Sequence, residues 1–595
     1  MKQNSIITGR ITLLRNWMKA KGLAAFIIPS TDPHAGEYTP EHWSCRQWIS
    51  GFTGSAGTVV VTTDQAGLWT DSRYFLQAAE QLEGTGICLF KDRLPGTPSI
   101  PDWLGTCLPS ASTVGIDGWV NAIGEAESLR QALSGYGIRL TAAGDPFATL
   151  WTDRPPIPEN PVFSMTPEYA GESCPDKLQR IRTYLTTRQT DGVLLSALDE
   201  IAWTLNLRGS DIHCNPLFVS YLLICTDCAI LYINKVKLPA GTEDALHRQG
   251  IAVKEYTDIV PDLQHYEAPS LLLPPSSNLA LYEAVQSSGT RIDRDTSPVL
   301  LMKAIKNPTE IAGFHTAMRK DGVALVRFLK WIKEAVKSGK ETELTIDRKL
   351  YELRSAQVGF KGISFDTIAG YQAHGAIVHY EATAATASRL QPEGLLLLDS
   401  GAQYLDGTTD ITRTIVLGPV SDEQKTDYTL VLKGMIALSR AVFPHGTCGT
   451  QLDVLARQFL WGEGLHYGHG TGHGVGHFLC VHEGPHQLRT NYMPALLLPG
   501  MTLTNEPGIY KEGRYGIRIE NTMLIVPDRT TEFGDFYRFE PLTLCPIDLA
   551  AIVPERLTTD EKDWLNRYHQ QVYETLCPLL DTEEREWLKQ ETRKI

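Results

Sequence analysis

The stretch Leu395-Leu-Leu-Leu-Asp-Ser-Gly-Ala-Gln-Tyr-Leu-Asp-Gly-Thr-Thr-Asp-Ile-Thr-Arg-Thr414 predicts the structural core of the C-terminal half of the chain. Its four leucines form an apolar strand that ends in Asp399, and a second strand, 411–417, follows Asp410. Turn residues between the strands indicate antiparallel pairing, which places facing residues about 5 Å apart. Two carboxylates that close repel each other unless a cation lies between them. The stretch predicts either a metal site or a strand end beside an exposed aspartate.

A second acidic strand is predicted in Gly516-Ile-Arg-Ile-Glu-Asn521. Its alternation is typical of a half-buried strand, with the two isoleucines on one face and Arg518 and Glu520 on the other. Arg518 is interpreted either as a salt-bridge partner of Glu520 or as a residue that orients it. Upstream, Glu506 ends a strand because the next residue is proline. Both glutamates are candidate metal ligands.

The densest functional signal is Tyr467-Gly-His-Gly-Thr-Gly-His-Gly-Val-Gly-His477, which is followed by His482-Glu-Gly-Pro485. A phosphate-binding P-loop needs Lys and then Ser or Thr after its glycines, and this stretch lacks them. Glycine instead lets the backbone approach a metal centre without the clash of a β-carbon. Several histidines in one glycine-rich turn therefore favour a site that includes His473. His379, at the end of a strand-like run, is uninformative by itself.

Together these residues offer one imidazole and four carboxylates as metal ligands: Asp399, Asp410, His473, Glu506 and Glu520. A mostly oxygen set suits Mn²⁺ or a similar hard ion rather than a sulfur-seeking metal. Two such ions close together can hold a hydroxide between them and polarise a carbonyl group. The residues alone predict a two-metal hydrolase whose substrate stays open.

The composition indicates a soluble globular protein of several domains. The 595 residues include 42% hydrophobic and 21% charged side chains, and the length suggests roughly three to four domains. A net charge of −14 argues against nucleic acid as the main partner, because phosphate binding needs a basic face. Neither a membrane span nor a secretory signal is predicted. Eleven cysteines without a paired framework suit a reducing compartment, so we expect a cytoplasmic protein.

One CxxC motif, Cys225-Thr-Asp-Cys228, lies between two apolar runs. We interpret it as the turn of a hairpin in a sheet. The alternative is a redox or zinc site, but zinc would need a second pair of soft ligands nearby in the sequence.

Two proline-rich breaks divide the chain. The first has four prolines in residues 153–161, and the second is Lys306-Asn-Pro-Thr-Glu310, which opens a helix predicted to reach about residue 337. We therefore expect domains at 1–157, 158–306 and 307–595.

The first two domains resemble copies of one design in the order of their elements. Each begins with an amphipathic helix and an apolar strand, at 11–28 and at 178–196, and later has a pair of strands, at 58–70 and at 219–232. Alternating strands and helices imply an α/β domain in each copy. The third domain has long helices, then strand pairs, and then a charged helical stretch from about residue 558, whose Trp and Leu spacing predicts a packing face.

The chain resembles aminopeptidase P of peptidase family M24, in the long three-domain form of that family. The motifs that carry the resemblance lie at 51–57, 68–75, 399–414, 468–476, 481–485, 505–508 and 516–520. It implies an α/β (α+β) architecture, with two creatinase-like N-terminal domains before a pita-bread catalytic domain. It also implies a homodimer.

The resemblance implies a role for each of the five ligands. Asp399 would bind one ion and help to hold the free amino group of the substrate, while Asp410 and Glu520 would bridge both ions. His473 and Glu506 would complete the shell of the second ion. Glu506 would also take a proton from the water between the ions and pass it to the leaving nitrogen.

Substrate contacts are implied in the same way. His379 and His482 would act in catalysis by contacting the peptide and stabilising the tetrahedral oxyanion, and His469 would line the same pocket. Arg518 and Arg73 belong to this substrate-binding set, with Arg73 reaching into the site of a partner subunit. Three positions depart from the family pattern: His374, His477 and Asn505. None of them is a ligand, and they leave the shape of the pocket and its pH dependence open.

The implied activity is the Mn²⁺-dependent removal of an N-terminal residue that precedes proline, and this specificity rests on the resemblance alone. Prolidase, which cuts Xaa-Pro dipeptides on the same catalytic fold, is the nearest alternative, but the two extra domains favour a longer substrate. Creatinase works without metal and has no use for the five ligands. A catalytically inactive peptide-binding relative would have lost ligands that this chain keeps.

Overall fold

The structure is a computed structural model that describes residues 2–595. It consists of two compact units. The first contains the chain through Met165 together with Glu172–Val299, and the second contains Thr166–Gly171 and Leu300–Ile595.

The first part of unit one is an α/β domain. Its elements are α1 (Lys2–Ala20), β1 (Ala25–Ile28), α2 (Cys45–Ser50), β2 (Thr58–Thr62), β3 (Ala66–Thr70), α3 (Phe75–Gln81), β4 (Cys88–Lys91), α4 (Ile100–Cys107), β5 (Thr113–Ile116), α5 (Ile123–Ser134), β6 (Arg139–Ala142) and α6 (Phe147–Leu150). The strands form a mixed sheet in the order β4-β3-β2-β1-β5-β6, in which β1 runs antiparallel to β2 and parallel to β5. Buried apolar side chains cover both faces of the sheet.

The next part of the chain repeats this plan. Its elements are β7 (Phe163–Ser164), α7 (Pro167–Ala170, in the second unit), α8 (Cys174–Arg188), β8 (Gly192–Leu195), α9 (Leu198–Leu205), β9 (Leu207–Arg208), β10 (Tyr221–Cys225), β11 (Ala229–Tyr232), α10 (Thr242–Arg248), β12 (Ala252–Lys254), α11 (Ile259–Gln264), β13 (Ser270–Leu272), α12 (Leu279–Ser288) and β14 (Arg291–Asp293).

The two sheets agree strand for strand. The second has the order β12-β11-β10-β8-β13-β14, and each neighbouring pair has the same parallel or antiparallel sense as its counterpart in the first. The predicted duplication is therefore confirmed at the level of architecture. The hairpin of β10 and β11 places Cys225 and Cys228 at its turn, as the CxxC spacing predicted.

The second unit has long helices first and then strands. After α13 (Pro298–Ala304) come α14 (Pro308–Ala335), α15 (Glu343–Ser355), β15 (Phe360–Ile363), β16 (Ile368–Tyr371), β17 (Leu395–Ser400), β18 (Ala402–Tyr404), β19 (Gly407–Thr408), β20 (Ile411–Val416), α16 (Asp422–Ser439), β21 (Val442–Pro444), α17 (Gly449–Gly462), β22 (Gly472–Gly474), β23 (Glu483–Leu488), β24 (Thr502–Asn505), β25 (Gly508–Lys511), β26 (Tyr515–Arg518), β27 (Asn521–Thr531), β28 (Gly534–Pro541), α18 (Thr559–Leu576) and α19 (Thr582–Glu591).

Local chemistry explains where α14 begins. The side chain of Asn307 accepts hydrogen bonds from the backbone N–H groups of Thr309 and Glu310, and the Glu310 carboxylate accepts one from the N–H of Asn307. This reciprocal cap satisfies donors that the first helical turn leaves unpaired, and Pro308 has no N–H to lose. The helix that the sequence predicted to about residue 337 ends at Ala335.

Three strand groups of this unit hold the candidate ligands. They are the sheet β16-β17-β20, the six-stranded sheet β21-β28-β27-β24-β22-β23 and the pair β25-β26. Helices α14, α16 and α18 contribute side chains to the large apolar core of the unit. Trp564 and Leu565 of α18 are buried there, so the predicted packing face is confirmed.

Within residues 2–595, no helix combines the length and the apolar character that a bilayer crossing requires. The predicted domain boundaries stay predictions, since the two compact units do not test the division at 157/158.

Candidate metal centre and active site

The hairpin quoted from the sequence forms one wall of the site. β17 and β20 pair antiparallel, so that Asp399 faces Thr412, and Asp410 lies directly before β20. Both carboxylates are buried, with Asp399 7% and Asp410 4% exposed. The alternative of an exposed Asp410 is therefore wrong, because the hairpin turns both side chains away from solvent.

The glycine-rich loop provides the histidine of the site. His473 is the central residue of β22, between two glycines that are pressed against other backbone segments. A β-carbon on Gly472 would lie 1.9 Å from the Thr504 carbonyl oxygen, and one on Gly474 would lie 2.4 Å from that of Glu483. Any larger residue would push β22 away from its neighbours. The sequence predicted glycines that let the backbone approach a metal centre, and the close approach found here is to neighbouring backbone segments.

Hydrogen bonding fixes the tautomer of His473. Its Nδ1 lies 2.9 Å from the carbonyl oxygen of Gly474, which can only accept, so Nδ1 carries the proton. The lone pair is then on Nε2, which lies 3.5 Å from a carboxylate oxygen of Asp410 and 3.5 Å from one of Glu506. Ligand atoms of Asp410, His473 and Glu520 all lie within 4.8 Å of one another.

Glu520 does not lie in a continuous strand. β26 ends at Arg518 and β27 begins at Asn521, because the chain leaves the pair β25-β26 and enters the six-stranded sheet there. The predicted half-buried strand is therefore wrong in two respects, since the strand is interrupted and the side chains of both its faces are buried. The hydroxyl of Thr412 donates to Glu520 Oε2 at 2.8 Å.

Burial dominates the electrostatics of these carboxylates, and their mutual repulsion adds to its effect. Burial, followed by the charges of neighbouring carboxylates, raises the pKa of Asp410 and that of Glu520 well above their ordinary values. Burial is also the main cause that raises the pKa of Glu506 to about 7. Several buried acids that resist ionisation together are stabilised by a cation placed among them.

Asp399 shows that the residues fit such a cation. Its Oδ2 accepts two hydrogen bonds from Arg518, at 2.6 Å and 3.1 Å. Its Oδ1 is buried and, within residues 2–595, has no hydrogen-bond donor. Buried carboxylate oxygens are rarely left in this state without water or an ion. The donor set of four carboxylates and one imidazole suits two hard divalent ions.

A chain of hydrogen bonds runs outward from Asp399. Arg518 Nη1 donates to the hydroxyl oxygen of Tyr510 at 2.7 Å, and this hydroxyl lies 2.8 Å from Nε2 of His469. Burial raises the pKa of Tyr510, so the hydroxyl stays protonated and donates a hydrogen bond to Nε2 of His469. Sequence reasoning missed Tyr510, because one tyrosine after Glu506-Pro-Gly carries no spacing signal.

The remaining candidates lie in two places. The ring centroid of His482 lies 4.4 Å from that of His473, and the two rings are nearly perpendicular. His379 follows Val378, whose carbonyl oxygen accepts a hydrogen bond from Arg518. Arg73 lies in the first unit, where it makes a two-pronged ion pair with Asp71 at 2.7 and 2.8 Å.

The three positions that depart from the family pattern have structural contacts of their own. His374 bonds to the buried carboxylate of Glu343 at 2.9 Å and stacks on Tyr380. His477 is buried against Phe314, and the Asn505 amide donates to the carbonyl oxygen of Met435 at 2.8 Å. These contacts give the three residues a role in packing the site's surroundings.

Comparison with known proteins matches successive parts of the chain to separate family models. Residues 10–150 and 153–310 match creatinase/prolidase N-terminal domains, 312–527 match metallopeptidase family M24, and 535–595 match the C-terminal region of peptidase M24. Xaa-Pro aminopeptidase 1 of Dictyostelium discoideum is 40% identical over 99% of this chain and 97% of its own length. The chain belongs to the Xaa-Pro aminopeptidase family.

Other members of the family give the same result. Aminopeptidase P1 of Arabidopsis thaliana is 37% identical over 96% of this chain and 97% of its own. A crystal structure of X-prolyl aminopeptidase from Caenorhabditis elegans, described as a cytosolic enzyme with a di-nuclear active site, is 35% identical and superposes with a TM-score of 0.93. That match covers 96% of this chain and 95% of the other. The predicted fold class is confirmed.

Proposed function

We propose that this chain is a metal-dependent aminopeptidase that hydrolyses the bond between an N-terminal residue and a following proline. The observation that carries the proposal is the buried cluster of Asp410, His473 and Glu520, whose ligand atoms lie within 4.8 Å. Membership of the Xaa-Pro aminopeptidase family supports the choice of substrate. Two divalent ions held there would lower the pKa of a bound water and polarise the scissile carbonyl. Mn²⁺ is the proposed ion, since the donors are mostly oxygen.

Glu506 is the proposed proton carrier. Its Oε1 lies 3.5 Å from Nε2 of His473 and accepts from the Thr504 hydroxyl at 3.4 Å, so the carboxylate is held at the edge of the cluster. A carboxylate in this place takes a proton from the attacking water and returns it to the proline nitrogen that leaves. The proline nitrogen needs this proton because an unprotonated amide nitrogen is a poor leaving group.

The histidines around the cluster are proposed to hold the peptide. His482 lies against His473, and a ring N–H of His482 or His379 can donate to the oxygen that becomes negative in the transition state. His469 receives a hydrogen bond from Tyr510 and lines the same pocket. Within residues 2–595, Arg518 pairs with Asp399 and Tyr510 and not with Glu520 as predicted, and we propose that it orients the Asp399 carboxylate.

Substrate length separates this proposal from its nearest alternative. The purified protein loaded with Mn²⁺ is incubated with an Xaa-Pro-Xaa tripeptide, an Xaa-Ala-Xaa tripeptide and an Xaa-Pro dipeptide. We expect release of the first residue from the proline tripeptide and little from the other two. Faster cleavage of the dipeptide would assign the chain to the prolidases. Peptide binding without turnover, despite bound metal, would identify a non-catalytic module.

Arg73 is proposed as a substrate contact, from the family resemblance. Replacing it with alanine should lower turnover of the tripeptide while the metal content stays unchanged. Arg93→Ala is the control, because Arg93 is an exposed arginine that lies 3.5 Å from Asp92. Loss of metal from the Arg73 variant, or equal effects of both variants, would contradict the proposed contact.

We also propose that the enzyme is a cytoplasmic homodimer with domains at 1–157, 158–306 and 307–595. The cytosolic description of the C. elegans relative supports the compartment, and none of the eleven cysteines lies in a disulfide within the described chain. Light scattering of the purified protein tests the oligomeric state, with a mass of twice 66.0 kDa expected.

A further inference from the structure

Glu520 lies at a gap in the sheet, where strand pairing supplies neither of its backbone partners. Two adjacent residues of β20 fill the gap. The N–H of Glu520 donates to the Thr412 carbonyl oxygen at 3.1 Å, and Nη1 of Arg413 donates to the Glu520 carbonyl oxygen. Together with the bond from the Thr412 hydroxyl to Oε2, three polar groups of Glu520 are held by this dipeptide.

Arg413 is a buried cation whose hydrogen bonds go to neutral acceptors. It is 3% exposed, and no carboxylate side chain in the described part of the chain accepts from it. Besides Glu520, it donates to the side-chain oxygen of Asn521 at 2.9 Å. The planar guanidinium therefore fixes two consecutive residues, the proposed ligand and the first residue of β27.

Apart from the adjacent Thr412 carbonyl oxygen, the other acceptors of Arg413 come from the C-terminal region that follows β28. Nε donates to the Pro546 carbonyl oxygen at 3.0 Å, and Nη2 donates to the Cys545 carbonyl oxygen at 2.8 Å and to the Tyr568 hydroxyl at 2.9 Å. That hydroxyl in turn donates to the Thr543 carbonyl oxygen at 3.0 Å. One guanidinium thus connects α18 and the segment before it to Glu520.

We infer that Arg413 is a positioning residue for the metal centre, and that the C-terminal region acts on the centre through it. The inference rests on the proposed function, in which Glu520 would be one of the residues that hold the metal. By holding the Glu520 carbonyl oxygen and the side-chain oxygen of Asn521, the guanidinium sets the direction in which the Glu520 carboxylate leaves the chain. Lysine can replace it only in part, because an ammonium group has no planar fork to reach the carbonyl and Asn521 together.

Metal affinity, measured without substrate, tests this role. The metal-free full-length protein is titrated with Mn²⁺ by calorimetry, and electron paramagnetic resonance reports whether the two ions are coupled. Removing a partner that orients a metal ligand typically costs about 10- to 100-fold in affinity. We expect a loss of that size for at least one ion in Arg413→Met, a smaller loss in Arg413→Lys, and the smallest in Tyr568→Phe.

Arg327→Met is the matched control. Arg327 of α14 pairs with Glu584 of α19 at 2.9 Å, so its loss loosens the C-terminal region without touching Glu520. We expect wild-type affinity for both ions in this variant. An equal loss in Arg327→Met would mean general destabilisation and would overturn the inference.

The milder variants keep the inference testable if Arg413→Met does not fold. Wild-type affinity and coupled ions in both Arg413→Lys and Tyr568→Phe would overturn the positioning role alone. If the wild-type protein itself binds no second ion, the proposed function fails, and the inference fails with it.

Discussion

A buried ion pair in the first unit of the molecule contrasts with the crowded carboxylates at the candidate site of the second. In the first unit, Lys237 and Asp211 are almost fully buried and lie 2.6 Å apart. At the candidate site, Asp410, Glu506 and Glu520 lie together, and burial together with neighbouring carboxylates raises the pKa of each. In a buried pair each charge compensates the other, so that removing one partner leaves a buried charge that destabilises the fold. Crowded charges of one sign destabilise it and are favourable only when they bind a cation.

The largest effect on turnover is expected from replacing Glu506, one of the crowded carboxylates. Replacing Glu506 with Gln removes the proton carrier, so turnover of an Xaa-Pro-Xaa tripeptide should fall about 10²- to 10⁴-fold. The metal-free protein should not lose stability, since one of the repelling charges is gone. Tripeptide kinetics with Mn²⁺ and urea unfolding of the metal-free protein measure the two quantities. A metal-free variant that is clearly less stable than the metal-free wild type would contradict the repulsion among these carboxylates.

Removing one charge of the buried pair should instead lower the stability of the protein. Lys237→Met leaves the Asp211 carboxylate buried and without its cation, which should lower the free energy of unfolding by about 3–5 kcal/mol. The number of metal ions bound should not change, because both residues lie in the first unit. Urea unfolding and metal analysis check this.

A nearby lysine offers the control for that experiment. Lys235 pairs with Glu243 at 3.0 Å, and both side chains are more than a third exposed. Lys235→Met should therefore cost less than about 1 kcal/mol. Similar losses in the two lysine variants would show that burial of the pair does not matter.

A smaller effect on the free energy of unfolding is expected from a fall in pH. This effect should be similar in the two units. Burial lowers the pKa of His34 to about 3 and that of His486 to about 4, so both stay neutral in the folded chain below the ordinary value of 6.5. The unfolded chain takes up these protons, and each histidine therefore lowers stability by about 1.4 kcal/mol per pH unit as the pH falls below 6.5.

Glutamine variants separate the contributions of the two histidines. Urea unfolding at several pH values gives the slope of the free energy of unfolding against pH. Between pH 6.5 and 5, His34→Gln or His486→Gln should each reduce this slope by about 1.4 kcal/mol per pH unit. An unchanged slope in either variant would mean that the histidine is already protonated in the fold.

The sequence predicted those parts of the site that rest on local pattern. Alternation and turn residues predicted the hairpin that brings Asp399 and Asp410 together, and the glycines around His473 predicted a close backbone approach. The repeated order of elements predicted two matching sheets. Each of these features is encoded in residues that are near one another along the chain.

The parts that were missed depend on distant contacts. Apolar alternation continues through Ile519, so the pattern does not show that the chain changes sheets there. Arg413 and Tyr568 are 155 residues apart, and Arg518 and Asp399 are 119 apart. No spacing rule links such pairs, because they meet only after the strands and α18 have packed.

Titrating activity with metal tests the two-ion centre most directly. The metal-free protein receives Mn²⁺ in steps, and release of the first residue from an Xaa-Pro-Xaa tripeptide is measured at each step. Activity should rise until two equivalents are bound and then level off, and a Glu520→Gln variant should stay inactive throughout. Full activity in the metal-free protein, or a plateau with no ion bound at Asp399, Asp410, His473, Glu506 and Glu520, would contradict a dinuclear hydrolase.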